Sequence, residues 1–177
     1  MQFLTPVEWQ SWCVKHQVPL REVSWLRPDI TEQHFHIVDL EYPADSGRKV
    51  CLARLLYSLI PPEPETLILM GDWGVWPSSQ HLPLVTRFRQ ALGERRELVE
   101  APAHLVAASD QDDAVSIIAM SLLFICDCYG ISASGANAFF VSHDEHCYFA
   151  TRDASTVARA KEQLAGFIKQ GHSSESA

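Results

Sequence analysis

A chain of 177 residues is long enough to bury a full core, and with 47% apolar and 20% charged residues it has the composition of an ordinary globular protein. Its net charge of −8 and pI near 5.4 repel phosphate backbones and anionic bilayers, which argues against nucleic-acid and membrane-surface binding and favours a basic protein partner. No Gly-x-Gly-x-x-Gly, P-loop, EF-hand or kinase signature occurs, so nucleotide hydrolysis and dinucleotide chemistry are not expected.

The opening residues, Met1 to Pro6, lack a basic segment followed by an apolar run, so no secretory leader is expected. Thr5-Pro6-Val7-Glu8 forms a capping box with proline at the first helical position. The helix it starts is predicted to reach about His16, with Trp9, Trp12 and Cys13 on one apolar stripe and Pro19 beyond its end. From Gln33 to Glu41 the residues alternate, with His34, His36, Val38 and Leu40 on one face and Phe35, Ile37 and Asp39 on the other, which predicts a strand. Pro43 to Gly47 reads as a turn. Val50 to Ile60 fits strand or helix, and the spacing of Leu52, Leu55, Leu56 and Leu59 favours a helix ended by Pro61-Pro62.

Thr66 to Met70 is an apolar run too short for a helix and is assigned to a central strand. The loop Gly71 to Pro77 follows, carrying Asp72, Trp73 and Trp76. Tryptophans on a rigid loop are common anchors in interfaces, so these three residues are candidates for partner binding. Ser78 or Ser79 is expected to cap a helix to about Leu92, with Gly93 as its stop. That helix carries Arg87 and Arg89, which with Arg95 and Arg96 form the one basic concentration of an acidic chain. Arg87 and Arg89 are the further partner-binding candidates, with Glu100 to His104 as a rim of the same pocket.

Leu98-Val99 and His104 to Val106 read as short strand pieces broken by Pro102. Ser109 or Asp110 is expected to cap a helix that runs to about Cys128, with Asp112 and Asp113 complementing its dipole and Gly130 ending it. Its apolar stretch, Ala114 to Cys126, is too short to span a bilayer. Ala138 to Val141 and Cys147 to Ala150 predict a β-hairpin, and Asp153 or Ser155 caps a last amphipathic helix to about Lys169. Residues 171–177 hold no anchoring apolar side chain and are expected to be a disordered tail. Five cysteines is an odd number, and Cys126 and Cys128 are too close for a comfortable disulfide, so reduced thiols in a cytoplasm are expected.

These elements predict a single α+β domain over residues 1–170. It has a mixed or antiparallel sheet, four to five helices, and a C-terminal β-hairpin followed by a helix.

Chemistry concentrates in the hairpin turn, His143-Asp144-Glu145-His146. Imidazole and carboxylate are ligands of divalent metals, and His with Glu is a water-activating pair, so the run could serve a metal-assisted hydrolase holding zinc or another divalent metal, with His104 as an added ligand. The spacing matches no helical His-Glu-x-x-His pattern, and the same letters describe a solvated turn. Cysteine nucleophiles (Cys147 with His143 or His146, Cys13 with His16) lack any local signature. No catalytic constellation stands out, so the leading expectation needs no cofactor. It is a small acidic cytoplasmic protein that binds another protein, of the kind that toxin-neutralising immunity proteins or adaptors represent, with self-association as a further option.

Overall fold

Strands in this chain carry apolar residues at consecutive positions, which only a sheet covered on both faces can bury. The computed structural model, which describes residues 1–22, 26–31, 34–60, 64–71 and 83–169, has this arrangement. In chain order the elements are β1 (Gln2–Leu4), α1 (Pro6–Lys15), β2 (Leu20–Glu22), β3 (Leu26–Pro28), β4 (His36–Leu40), α2 (Ser46–Leu59), β5 (Thr66–Met70), α3 (Pro83–Ala91), β6 (Ala103–Val106), α4 (Gln111–Phe124), β7 (Cys128–Ser132), β8 (Asn137–Val141), β9 (Cys147–Thr151) and α5 (Ala154–Gln163). Seven strands form one sheet in the order β1-β6-β5-β7-β8-β9-β4, and β2 and β3 form a separate ribbon. Among the described residues every strand pairing is antiparallel. The fold class is therefore α+β, with the expected hairpin and helix at its C-terminal end. Among the described residues, no helix is long and apolar enough to cross a membrane.

Side chains alternate between the two faces, as the pleat requires. One face carries Ile68, Met70, Cys128, Phe139, Val141 and Phe149 against Leu52 and Leu56 of α2, Ile117 and Ile118 of α4, and Leu164 after α5. The other carries Leu67, Leu69, Tyr129, Ile131, Ala138 and Phe140, and packs with Trp9, Trp12 and Cys13 of α1.

Local signals placed several boundaries correctly. The Thr5 hydroxyl accepts from the Glu8 amide at 3.4 Å, and the Glu8 carboxylate accepts from the Thr5 amide at 2.7 Å, so both halves of the capping box form. Val50 to Ile60 is helical, but α2 begins earlier, at Ser46, because the Asp45 carboxylate caps the Arg48 amide at 2.8 Å. Ser46 and Gly47 thus belong to the helix and not to a turn. Leu98 to Glu100 is a turn and not a strand piece.

The helix expected to reach Cys128 is shorter. It ends at Phe124, where Ile125 adopts the left-handed conformation (φ 56°, ψ 59°) and the Cys126 amide donates to the Ser121 carbonyl. Cys128 to Ser132 is instead β7, the central strand of the sheet. Gly130 terminates nothing. It pairs with Phe139 of β8, and a Cβ at Gly130 would lie 2.1 Å from Phe139 Cε1, so the ring occupies the space a side chain would need. The last helix also stops early, at Gln163, and a 3₁₀ turn over Ala165–Phe167 brings Ile168 into a β-bridge with Leu40. The Gln33 end of the first predicted strand, the Asp72–Trp73–Trp76 loop, the Ser78/Ser79 cap and the 171–177 tail lie outside the described residues.

Candidate functional site

The tight turn between β8 and β9 is Ser142 to His146. The Ser142 amide donates to the His146 carbonyl at 2.8 Å, and the Glu145 amide to the Ser142 carbonyl at 3.1 Å. The Ser142 hydroxyl accepts from the Asp144 amide at 3.1 Å, and Glu145 takes a positive φ of 59° to close the loop. This local network explains why the turn is rich in Ser, Asp and His.

A buried carboxylate pins the loop from below. Asp127, 3% exposed, lies between α4 and β7, and one of its oxygens accepts two bonds from His143: the backbone amide at 2.7 Å and ring Nδ1 at 2.8 Å. With a carboxylate as acceptor, Nδ1 carries the proton. Nε2 then faces Asp144 Oδ1 at 3.6 Å. The Asp127 carbonyl also accepts from the Gly71 amide at 2.9 Å, joining β5 to this corner.

His143, Asp144, Glu145 and His146 share the loop without converging on one point. His143 turns inward to Asp127, while Asp144, Glu145 and His146 are exposed. Among the described residues, no group of three or more His, Cys, Asp or Glu side chains is arranged to hold a metal ion. His104 is far from joining them. It is buried in β6, where its Nδ1 faces the Ile68 carbonyl at 3.3 Å and its Nε2 faces Arg89 Nη1 at 3.1 Å, and burial holds its pKa down to about 3.

The basic concentration also divides. Arg87 is exposed, but Arg89 is only 3% exposed and donates to the Ala101 carbonyl at 2.9 Å, so it braces the interior and is not displayed to a partner. Burial lowers its pKa to about 10. Arg96 is engaged by Glu94, whose carboxylate Arg96 holds down to about 2. Cysteine chemistry is disfavoured at the buried thiols: desolvation pushes Cys13 and Cys128 up to about 12 and raises Cys147 further, which suppresses the nucleophilic thiolate. None of the five cysteines forms a disulfide.

What the loop does build is one wall of a groove of about 560 Å³. Glu145 and His146 line it from the loop, Phe140 and Tyr148 from the sheet, Asp39, Glu41 and Tyr42 from the end of β4, and Lys169 from the C-terminal segment. Three acidic residues and one lysine therefore line it, and the Lys49 ammonium lies 4.9 Å from the centre of the Tyr42 ring. Register across the sheet sets Tyr129 opposite Phe140, Phe140 opposite Tyr148, and Tyr148 opposite Asp39. The ring centroids lie 4.4 Å and 5.5 Å apart along this row. The Tyr42 phenol is pushed up first by burial and then by the nearby Glu145 charge, and Tyr148 is raised by burial with Asp39 adding to it.

Sequence reasoning found Glu145 and His146 but not Asp39, Glu41, Tyr42, Phe140, Tyr148 or Lys169, because only the pairing of β4 with β9 brings them together. Asp127 did carry a signal: a carboxylate between two cysteines at the end of an apolar run requires a buried partner. A scan against family models, a search of curated proteins and a search of solved structures each found no match to this chain.

Proposed function

We propose that this protein binds another protein, and that the groove beside the β8–β9 loop receives a cationic side chain of that partner. The carrying observation is that Asp39, Glu41 and Glu145 line the same groove as Tyr42, Phe140 and Tyr148. Carboxylates supply charge-assisted hydrogen bonds to a guanidinium or ammonium, and aromatic faces add cation–π attraction. The net charge of −8 acts in the same direction at longer range, steering a basic partner to this surface. A basic toxin held by an immunity-type protein, or a basic client held by an adaptor, has the required chemistry. Five cysteines without a disulfide support a reducing, cytoplasmic setting.

The test is a titration of the protein with a short unstructured arginine-rich peptide, followed by fluorescence anisotropy at two salt concentrations. A variant carrying Asp39→Asn, Glu41→Gln and Glu145→Gln is expected to bind at least tenfold more weakly and with a shallower salt dependence. Equal affinity of the variant and the parent would remove the groove from the binding site.

A further inference from the structure

Among the described residues β4 is the last strand of the sheet, so one of its two edges has no neighbouring strand there. The pairing with β9 fixes which backbone groups face that edge. Ser142 and His146 are a hydrogen-bonded pair, so along β9 the residues Tyr148 and Ala150 bond toward β8 while Cys147, Phe149 and Thr151 bond toward β4. Their partners Leu40, Val38 and His36 therefore point inward, and Ile37, Asp39 and Glu41 point outward.

The chain itself uses part of this edge. The Glu41 amide donates to the Phe167 carbonyl at 2.7 Å, the Lys169 amide donates to the Asp39 carbonyl at 3.2 Å, and Ile168 bridges Leu40 in antiparallel sense. The next outward groups on this edge are the N–H and C=O of Ile37, which have no backbone partner among the described residues. The Ile37 side chain is 38% exposed, next to Asp39 on the groove side of the sheet.

We infer that the outer edge of β4 at Ile37 is a strand-addition site, where an extended basic segment of the partner pairs with the Ile37 backbone while its cationic side chains enter the Asp39–Glu41–Glu145 groove. This rests on the protein-binding reading above and specifies its mode. Main-chain pairing supplies affinity, and alternate side chains supply specificity. Open edges are normally blunted by charge or proline because any strand can pair with them. Here Asp39, Glu41 and Glu145 outnumber Lys169, so the flanking charge is acidic on balance, repels another acidic chain and attracts a basic one.

The test compares two lysine–valine peptides of equal length and charge, one plain and one N-methylated at every lysine and valine amide and so lacking its donors. The plain lysine–valine peptide is expected to bind at least tenfold more tightly. Ile37→Pro removes an outward N–H and leaves the bonds to β9 in place, so it is expected to reduce the plain peptide's affinity to the methylated level and leave the latter unchanged. Amide exchange on the unmutated protein provides a check independent of that variant's folding: the Ile37 amide should slow when the plain peptide is added. Equal binding of both peptides with no slowing at Ile37 overturns strand addition and leaves the groove standing. Binding of neither peptide overturns both readings. Concentration-dependent dimerisation that slows the Ile37 amide without peptide assigns the edge to a second copy of this chain and overturns the partner. At least tenfold stronger peptide binding on removal of residues 170–177 assigns it to the chain's own C-terminal segment, with the same consequence.

Discussion

Replacing Gly130 by alanine tests how the central strand is packed. A Cβ there would lie 2.1 Å from Phe139 Cε1, 2.5 Å from Phe139 Cζ and 2.8 Å from Ile60 Cδ1. Carbon atoms prefer separations of about 3.5–4.0 Å, so the ring must retreat by about 1.5 Å. Phe139 is fully buried in the core that includes Leu56, Ile117 and Phe149, where interiors are close-packed and offer little room. Overpacking of this kind costs about 1–3 kcal/mol, against a gain of about 0.4–1 kcal/mol from the stiffer unfolded chain. The net expectation is a loss of about 1–2 kcal/mol, seen in urea unfolding as a lower midpoint at unchanged slope. In a protein of this size it corresponds to a melting temperature lower by about 2–8 °C. Adding Phe139→Leu should relieve the clash, so the double variant is expected to lose less than the sum of the singles, with a coupling of about 1 kcal/mol. Gly130→Ala stability within 0.5 kcal/mol of the parent (roughly the usual range of a neutral substitution), together with additive behaviour of the pair, would refute the reasoning.

Asp127→Ala leaves the His143 amide without its acceptor and should cost about 1–3 kcal/mol in urea unfolding, with a matching loss of peptide binding as Glu145 and His146 shift; unaltered stability would remove Asp127 as the loop's anchor. His104, held to about 3 in the fold, is neutral where an unfolded histidine takes a proton near pH 6.5, so its contribution is full above 6.5 and is lost as pH falls toward 3. His104→Asn should therefore flatten the pH dependence of stability between about 6 and 4.5, and an unchanged slope there would contradict a neutral buried histidine. Glu94, lowered to about 2 by Arg96, stabilises above its unfolded value and loses that contribution as pH falls from about 4.5 toward 2. The destabilisation caused by Glu94→Gln at pH 7 should shrink through that window, and a constant difference would count against the ion pair. Ile125→Gly removes a branched, exposed side chain from a left-handed position and should stabilise by about 0.5–1 kcal/mol; a loss of stability would show that the remaining contacts of Ile125 outweigh its strain.

Elements with strong local rules were legible in the sequence. The capping box at Thr5, the leucine spacing of α2, the short apolar run of β5 and the hairpin of β8 and β9 were each determined by residues close in sequence. The α4–β7 junction was not legible, because Ala114 to Cys128 is almost continuously apolar and period alone cannot divide a buried helix from a buried strand. Its boundary is set by Ile125 entering a conformation that β-branched residues seldom adopt, so no glycine marked it. Gly130 looked like a helix stop for the same reason; its actual role depends on Phe139, nine residues away on the next strand. The candidate site was legible only where it is local. The loop residues stood out by composition, whereas the pairing of β4 with β9 crosses most of the chain and supplies the other wall.

The arrangement of the loop joins the His143–His146 run to Asp127, which the sequence reading did not single out. Asp127 holds His143 by two bonds from the protein interior, and the turn network fixes Glu145 and His146 two and three residues later. The backbone of the groove wall is thereby ordered in advance, so under the proposed binding less loop freedom would be lost than in a free loop. His143, whose acidic neighbours invited a metal, thus serves as a brace, and under the proposed binding Glu145, two residues on, is the contact. On this view Asp127→Asn is informative. Its side chain can keep one bond to the loop amide while giving up the charge that favours the His143 ring proton, so peptide affinity should fall by less than in Asp127→Ala. Equal losses in the two variants would show that the carboxylate's charge, and not the positioning of the loop, controls the groove.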